Sequence, residues 1–215
     1  MNIELKTSQL SYSRHNQVIF QDLELVLTPG QGLWVSGPNG SGKTSLLRVL
    51  AGLLSATTGK LWWKGQALSE NRLAYHQDLH FLGHLPGIKN KLSLAENLKF
   101  SQDLAGSTAP PEPIETALDQ LSLLKYKDKL AEQLSAGQKR RLALARLWVS
   151  PKPLWILDEP FTNLDTEAQQ WICQSIEQHL QNQGLVILAS HQNFPIQDQT
   201  RFRCLALPLQ EEIHD

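Results

Sequence analysis

Hydrophobic and polar positions follow two alternating patterns along the chain. Short, continuous apolar runs that end in polar groups alternate with longer segments whose apolar positions recur at helical spacing. The first pattern is typical of buried parallel strands, and the second is typical of helices that pack against them. The sequence therefore predicts an α/β protein with a mainly parallel sheet.

Three apolar runs are the strongest strand predictions, at residues 32–37, 154–159 and 185–191. Polar residues follow each run at its carboxyl end. Open α/β sheets bind ligands at the edge formed by the carboxyl ends of their strands. An earlier segment, "GKLWWKGQAL" at residues 59–68, has glycine-bearing turns and predicts antiparallel strands instead. No internal repeat is evident in the sequence.

Composition limits the class of protein. A chain of 215 residues with 41% hydrophobic residues can form one well-packed domain, or one domain with a subdomain. Its net charge of -1 lacks the basic excess of a nucleic-acid-binding protein, so no nucleic-acid partner is expected. No apolar run approaches the roughly 20 residues of a membrane span, and the first residues contain no apolar signal region, so we expect a soluble, cytoplasmic chain.

The strongest chemical motif is "GPNGSGKT", which follows a predicted strand and opens an apolar helix. In this context glycines let main-chain N–H groups surround a phosphate, Lys43 reaches the β- and γ-phosphates, and the Thr44 hydroxyl is offered to Mg²⁺. The alternative is a glycine-rich turn followed by a lysine on a helix. The residues predicted to bind the phosphates are Gly37, Pro38, Asn39, Gly40, Ser41, Gly42, Lys43, Thr44 and Ser45.

Two adjacent carboxylates follow the buried run "LWIL". Such a pair is costly at a strand end unless a cation or a proton-transfer task lies nearby. We expect Asp158 to hold Mg²⁺ through a water molecule and Glu159 to polarise the water that attacks ATP. An acidic turn is the alternative interpretation, and the presence of Lys43 makes it less favoured.

The segment "LSAGQKRRLALARLW" at residues 134–148 predicts a helix that begins with a capping box formed by Ser135 and Gln138. Lys139, Arg140 and Arg141 then lie at the positive end of the helix dipole, where cations are unfavourable without a nearby anion. The anion could be nucleic acid, a nucleotide or surface carboxylates.

In combination these motifs resemble the ATP-binding-cassette (ABC) ATPases over nearly the whole chain. "GPNGSGKT" resembles Walker A, "LSAGQ" the signature, "WILDEP" Walker B, "TNLD" the D-loop, and "SH" at residues 190–191 the switch histidine. The resemblance implies a P-loop NTPase core with an antiparallel β subdomain and an α-helical signature subdomain. It implies a single domain, with residues 1–83 and 151–215 as core and 84–150 as the Q-loop region and helical subdomain.

The same resemblance implies how the site works. Two copies would bind head to tail around ATP and Mg²⁺, so that Ser135, Gly137 and Gln138 of one copy meet the γ-phosphate held by Lys43 of the other. This arrangement would supply the anion for the cations at 139–141, although at least one of them is expected to be solvated or to contact nearby carboxylates. His191 would act in catalysis. Asp165 would contribute to the nucleotide site from the D-loop.

Two further positions follow from comparison with the family pattern. Tyr12 lies where the family places an aromatic ring that stacks on adenine, although a tyrosine before a strand is usually a packing residue. Counting back from "LSLAEN", His84 occupies the position of the Q-loop glutamine, and an imidazole there can hydrogen-bond a catalytic water. Magnesium prefers oxygen ligands, so direct coordination by His84 is not expected. Gln77 could serve instead only with a longer insertion.

"GHLPGIK" together with "LSAGQKRRLALARLW" is similar to the ATP-binding subunits of the haem exporters of cytochrome c maturation. The similarity implies a peripheral protein on the cytoplasmic face of the inner membrane, with integral-membrane permease partners. ATP hydrolysis would drive haem export or release of a haem-loaded chaperone. The alternative is the ATPase of another small-molecule, lipid or peptide exporter. DNA-repair and ribosome-linked members are disfavoured, because they carry a long insertion or two cassettes.

Three histidines invite the interpretation of a haem site. His76, His80 and His84 are four residues apart and would lie on one face of a continuous helix. No apolar periodicity supports such a helix, however, and the segment leads into the Q-loop. No direct haem ligation is therefore expected.

Overall fold

The computed structural model describes residues 3–15, 17–105, 113–191, 196 and 198–208. Its strands form two separate sheets, one antiparallel and one parallel. The six α-helices among the described residues are α1 Lys43–Leu50, α2 Arg72–Gln77, α3 Leu94–Ala105, α4 Ile114–Gln120, α5 Ala136–Val149 and α6 Thr166–Gln181. Short 3₁₀ turns occupy Leu124–Tyr126, Ala131–Gln133 and Gln199–Arg201.

The antiparallel sheet is formed by strands from the first third of the chain. Its strands are β1 Leu5–Arg14, β2 Gln17–Leu27, β4 Thr58–Trp63 and β5 Gln66–Ala67, in the order β2-β1-β4-β5. All of the neighbouring pairs are antiparallel. The prediction of antiparallel strands within residues 59–68 is therefore confirmed.

The parallel sheet contains the strands that the apolar runs predicted. Its strands are β3 Gly32–Ser36, β6 Leu79–Leu82, β7 Leu154–Asp158, β8 Leu185–Ala189 and β9 Phe202–Ala206, in the order β6-β7-β8-β3-β9. Every residue of β7 and β8 is buried, because both faces of this sheet are covered. The predicted fold class is confirmed, with a parallel core sheet and an antiparallel sheet beside it.

Helix α5 packs on both the sheet and the neighbouring helices. Ala143, Leu144 and Leu147 join the apolar cluster that contains β7, β8 and α6. Leu142 and Val149, from the other side of the same helix, join a cluster with α3 and α4. Helix α5 therefore connects the parallel sheet to the helical region.

The histidine-bearing segment is not one helix. His76 lies in α2 and His80 lies in β6, while His84 follows the end of that strand. The side chains consequently leave the chain in unrelated directions. This confirms the prediction that the segment is not a continuous helix.

Candidate functional site

A cavity of about 620 Å³ opens at the carboxyl ends of β3, β7 and β8. It combines the loop before α1 with the polar residues that follow β7 and β8. The predicted site residues that line it are Asn39, Gly40, Gly42, Lys43, Thr44, Ser45, His84, Asp158, Glu159 and His191. The sequence motifs therefore meet at one place in the fold.

Glycine is required at two positions of the loop that precedes α1. Gly37 has a φ of 144°, and a Cβ there would lie 2.4 Å from the carbonyl oxygen of Leu207. Gly42 has a φ of 94°, and its Cβ would lie 2.2 Å from Cγ2 of Ile19. Gly42 is also the N-cap of α1, which has no side-chain cap and no acidic residue in its first turn. The positive end of this helix therefore faces the cavity with no acidic residue of its own first turn to offset it.

Lys43 is folded back onto this loop. Its side chain is largely buried, and Nζ donates hydrogen bonds to the carbonyl oxygens of Gly37 at 2.7 Å and Pro38 at 2.9 Å. The hydroxyl of Ser41 is buried and has no hydrogen-bond partner among the described residues. Gly37, Pro38 and Ser41 support the loop without lining the cavity. The lysine cation is thus held within the loop, next to the cavity.

Thr44 and Asp158 join the start of α1 to the end of β7. Thr44 Oγ1 donates a hydrogen bond to Asp158 Oδ2 at 2.9 Å. Burial raises the pKa of Asp158, which is 2% exposed, and the hydrogen bond from Thr44 opposes this shift. The pair presents hydroxyl and carboxylate oxygens, the ligand types that a hard divalent cation prefers.

Glu159 and His191 form the second polar pair of the cavity. Oε1 of Glu159 accepts hydrogen bonds from the main-chain N–H of His191 at 3.2 Å and from its Nδ1 at 3.0 Å. Glu159 has a φ of 47°, a left-handed conformation that is strained for a residue with a side chain. Its N–H donates to the carbonyl oxygen of Ala189 at 2.9 Å, which ties the main chain of Glu159 to the end of β8.

The signature segment begins α5 as predicted but lies outside this cavity. Ser135 accepts a hydrogen bond from the Gln138 N–H at 3.2 Å, and the Gln138 side chain accepts one from the Ser135 N–H at 3.0 Å. The predicted capping box is therefore confirmed. Ser135 is exposed, and Ser135, Gly137 and Gln138 do not line the cavity of their own chain.

The two arginines that follow this capping box have partners within the chain. Arg140 donates to three main-chain carbonyls, and Arg141 donates to the Leu121 carbonyl and forms an ion pair with Asp165. The expectation that at least one of the three cations contacts a nearby carboxylate is confirmed by Arg141. Arg140 instead binds main-chain carbonyls, which the sequence did not predict. Asp165 also caps α6 by accepting from the Ala168 N–H, and it does not line the cavity.

Tyr12 packs into the protein core. Its ring stacks on Phe20 with centroids 6.1 Å apart, and it contacts the cluster beneath the antiparallel sheet. It does not line the cavity, so the prediction that it stacks on adenine has no support from this placement. Gln77 also lies away from the cavity, whereas His84, at the position of the Q-loop glutamine, lines it.

The end of the β1–β2 hairpin lines the cavity, and the sequence did not predict this. The hairpin register shifts between Tyr12 and Ser13, and this irregularity changes the faces to which later side chains point. The lining residues that we did not predict are Arg14, His15, Gln17, Ile19 and Thr162. For the hairpin the available signal was the paired polarity of Arg14 and His15 upstream of the glycine-rich loop, and for Thr162 it was the "TNLD" motif.

Comparisons with known proteins agree with this geometry. The family model described as "ABC transporter" matches residues 20–162. The chain is 44% identical over 203 residues to the "Cytochrome c biogenesis ATP-binding export protein CcmA" of Yersinia pestis bv. Antiqua, covering 94% of this chain and 93% of that protein. It is 43% identical over 189 residues to the protein of the same name from Vibrio parahaemolyticus, covering 88% and 92%.

A solved structure shows the same fold. The putative ABC transporter ATP-binding protein of Pyrococcus furiosus superposes with a TM-score of 0.79 at 24% identity, covering 95% of this chain and 97% of that one. No helix among the described residues is long and apolar enough to cross a membrane. The match to the family model and the identity to these relatives together show that the chain belongs to the ABC transporter family, as an ATP-binding ATPase.

Proposed function

We propose that the chain is the ATP-hydrolysing subunit of an export complex for cytochrome c biogenesis, and that residues of two copies form each of its ATPase sites. The assignment of ATP hydrolysis rests on one observation. Lys43 and the hydrogen-bonded pair of Glu159 and His191 line the same cavity. The relatives named as cytochrome c biogenesis export proteins support the cellular role, since they align with nearly the whole chain.

Phosphate binding follows from the loop before α1. When ATP enters, Lys43 Nζ exchanges the carbonyl oxygens of Gly37 and Pro38 for β- and γ-phosphate oxygens, which are stronger acceptors because they are charged. The N–H groups at the start of α1 contribute the remaining donors. The loop positions are already set by Gly37 and Gly42, so little reorganisation is needed.

Mg²⁺ fits the pair formed by Thr44 and Asp158. Both side chains present oxygen atoms, and a cation would offset the cost of burying the Asp158 carboxylate. No group of three His, Cys, Asp or Glu side chains in the described ranges could hold a metal. Phosphate oxygens and water would complete the coordination of an ion held by Thr44 and Asp158. When bound, the ion would offset the negative charge of the ATP phosphates during hydrolysis.

Water activation is assigned to Glu159. Its carboxylate lies in the cavity and is oriented by two donors from His191, one from the main chain and one from the ring. The His191 ring is held through Nδ1, which leaves Nε2 as the atom that can reach the γ-phosphate or the water. His84 lines the same cavity and is a further group that could contact the water.

We assign the signature segment to the site of another copy. Ser135 is exposed at the start of α5, and neither it nor Gly137 lines the cavity of its own chain. In an antiparallel pair of copies, the N-terminus of α5 would add N–H donors to the γ-phosphate bound by the partner. We therefore propose an ATP-dependent homodimer with two shared sites, in which Ser135, Gly137, Gln138 and Asp165 complete each site.

Membrane partners complete the proposal. Phe100 and Leu104 lie one helical turn apart on α3, are exposed, and line a second cavity of about 270 Å³. Exposed apolar groups at a cavity are typical of protein contact surfaces. We place the chain on the cytoplasmic face of the inner membrane as a peripheral subunit, bound to integral-membrane permease subunits. Hydrolysis is then linked to haem export or to release of a haem-loaded chaperone, with no haem ligand from this chain.

Complementation tests the cellular role. A bacterial strain that lacks its own CcmA-type protein would receive the parental chain or its Glu159→Gln variant, and haem-stained c-type cytochromes would be measured. We expect the parental chain to restore cytochrome c formation and the variant to fail while it is present at equal abundance. Parental ATPase activity in vitro without any restoration of cytochromes would contradict the cytochrome c assignment and favour an exporter of another substrate.

A further inference from the structure

The guanidinium of Arg140 connects three segments that surround the ATPase cavity. Arg140 lies on α5 and is 7% exposed. Its Nη1 donates to the Gly83 carbonyl at 2.9 Å, and its Nη2 donates to the carbonyls of Asp158 at 2.8 Å and Glu159 at 2.7 Å. Gly83 directly precedes His84 in the chain. One side chain of the signature helix therefore holds the main chain at two residues of the cavity, Asp158 and Glu159, and next to a third, His84.

The position of these carbonyls explains why an arginine is suited to them. The ladder between β6 and β7 ends at the pair Leu82 and Leu157, so the Gly83 and Glu159 carbonyls lie just beyond it. Buried carbonyls beyond a ladder need other donors. A guanidinium presents several N–H groups in one plane and can serve neighbouring strand ends together, which a lysine or glutamine cannot do.

Glu159 depends on such support more than its neighbours do. Its left-handed φ of 47° persists only if the surroundings hold it. Its N–H is fixed by the Ala189 carbonyl, and its own carbonyl accepts from Arg140 at 2.7 Å and from the Thr162 N–H at 3.2 Å. The bond from Arg140 is the shorter of the two, and it comes from a charged donor.

We propose that Arg140 is a positioning residue for hydrolysis: it holds the Glu159 main chain so that the carboxylate faces the attacking water, and it couples this geometry to the signature helix. Arg140 does not line the cavity and acts through Glu159. The proposal rests on the role of Glu159 proposed above. Arg140 would transmit a movement of α5, when two copies close around ATP, to the main chain that carries the hydrolytic carboxylate.

A purely structural arginine would also tie α5 to the sheet, so a matched control is needed. Arg146 lies on the same helix, is largely buried, and donates from Nη1 to the Pro86 carbonyl at 3.3 Å. Among the described residues, its side-chain hydrogen bond goes to the Pro86 carbonyl and not to the end of β7. Arg146→Gln therefore removes a similar guanidinium from the same helix without touching the carbonyls of Asp158 or Glu159.

The first measurement compares steady-state ATPase kinetics of the full chain and its variants at equal protein concentration. We expect Arg140→Gln to lower kcat about 100-fold while the dissociation constant for ATP changes less than about threefold, because the reacting groups are displaced and the phosphate loop is intact. Arg140→Lys, which keeps a cation that can reach part of the carbonyl set, should recover part of the rate. Arg146→Gln should keep a kcat close to that of the parental chain, whatever its Tm.

The second measurement is a double-mutant cycle with Glu159→Gln. If Arg140 acts through Glu159, adding Arg140→Gln to Glu159→Gln should lower the residual rate by less than about threefold. Two independent losses that multiply would overturn the proposal, as would a parental kcat in Arg140→Gln, or equal losses of kcat in the Arg140 and Arg146 variants. A parental rate in Glu159→Gln alone would instead refute the proposed role of Glu159.

Discussion

The imidazole of His191 donates a hydrogen bond from Nδ1 to Oε1 of Glu159 across 3.0 Å. Because His191 follows β8 and Glu159 follows β7, this bond connects the carboxyl ends of two neighbouring strands. The main-chain N–H of His191 bonds the same oxygen at 3.2 Å. Two donors of one residue therefore orient this carboxylate.

Replacing His191 tests whether this orientation serves catalysis. We expect His191→Ala to lower kcat about 100-fold, because the carboxylate loses its ring donor and the γ-phosphate loses an imidazole. The dissociation constant for ATP, measured by titration of a fluorescent analogue, should change less than about threefold, since the phosphate loop is unaffected. Comparable losses of turnover and affinity would mean that His191 is only a structural residue.

Variants of Lys43 and Glu159 should separate ATP binding from ATP hydrolysis. Lys43→Met keeps the apolar stem but removes the cation that the phosphates would bind, so ATP affinity should fall about 100-fold. Glu159→Gln keeps the shape of the side chain and loses the charge that activates water, so ATP should still bind while hydrolysis falls about 1,000-fold. Equilibrium binding and phosphate release would be measured on both variants. Full hydrolysis by Glu159→Gln would refute its catalytic assignment.

Acid should destabilise the fold through His80. Burial lowers the pKa of His80 to about 3, and Nε2 is 2.5 Å from the Ser150 carbonyl oxygen, so the neutral ring is the donor. Since the folded pKa lies below the unfolded value of 6.5, stability is lost as the pH falls from about 6.5 towards about 3. At pH 5 the loss from this one group is about 2 kcal/mol relative to pH 7.5.

The His80→Gln variant removes the titration while keeping a side-chain amide that can donate to the Ser150 carbonyl. Urea unfolding at pH 7.5 and pH 5.0 would be compared between this variant and the parental chain. The free energy of unfolding of the parental chain should fall by about 2 kcal/mol more than that of the variant between the two pH values. Equal falls would show that His80 becomes protonated without penalty in the folded state.

The phosphate loop and the Walker B carboxylates could be predicted because their chemistry is local in sequence. The phosphate loop is one short segment that contains Gly37, Gly42 and Lys43. The two carboxylates, Asp158 and Glu159, directly follow one apolar run. The capping box of Ser135 and Gln138 is equally local, and the structure contains it. Neighbouring residues determine these features, so one sequence is enough to identify them.

The features that were missed depend on contacts between distant segments. Arg140 was noticed for its charge, yet its carbonyl partners lie 57 residues upstream and 18 and 19 residues downstream. The hairpin residues Arg14 and Ile19 reach the cavity because the register of β1 and β2 shifts beside Tyr12, and no periodic pattern reveals that shift. Tyr12 was predicted to stack on adenine from its position in the family pattern. Its packing on Phe20 depends instead on the pairing of β1 with β2.

Each ATPase site is proposed to take its phosphate loop from one copy and its signature segment from another. Two variants test this arrangement when they are mixed. Lys43→Met disables the loop and leaves the signature intact. Ser135→Asp keeps an N-cap residue for α5, and so its stability, but places a negative charge where the partner's triphosphate would bind. Each variant alone should be inactive, because both of its sites lack one half.

The ATPase activity of the mixture, measured as a function of the molar ratio of the two variants, is the most direct test. A mixed dimer has one intact site, built from the Lys43 of one chain and the Ser135 of the other. We predict that activity absent from both variants appears on mixing and is highest near equal amounts, at about a quarter of the parental specific activity if chains pair at random and each intact site works independently. An inactive mixture, with mixed dimers demonstrated by cross-linking, would contradict the shared site.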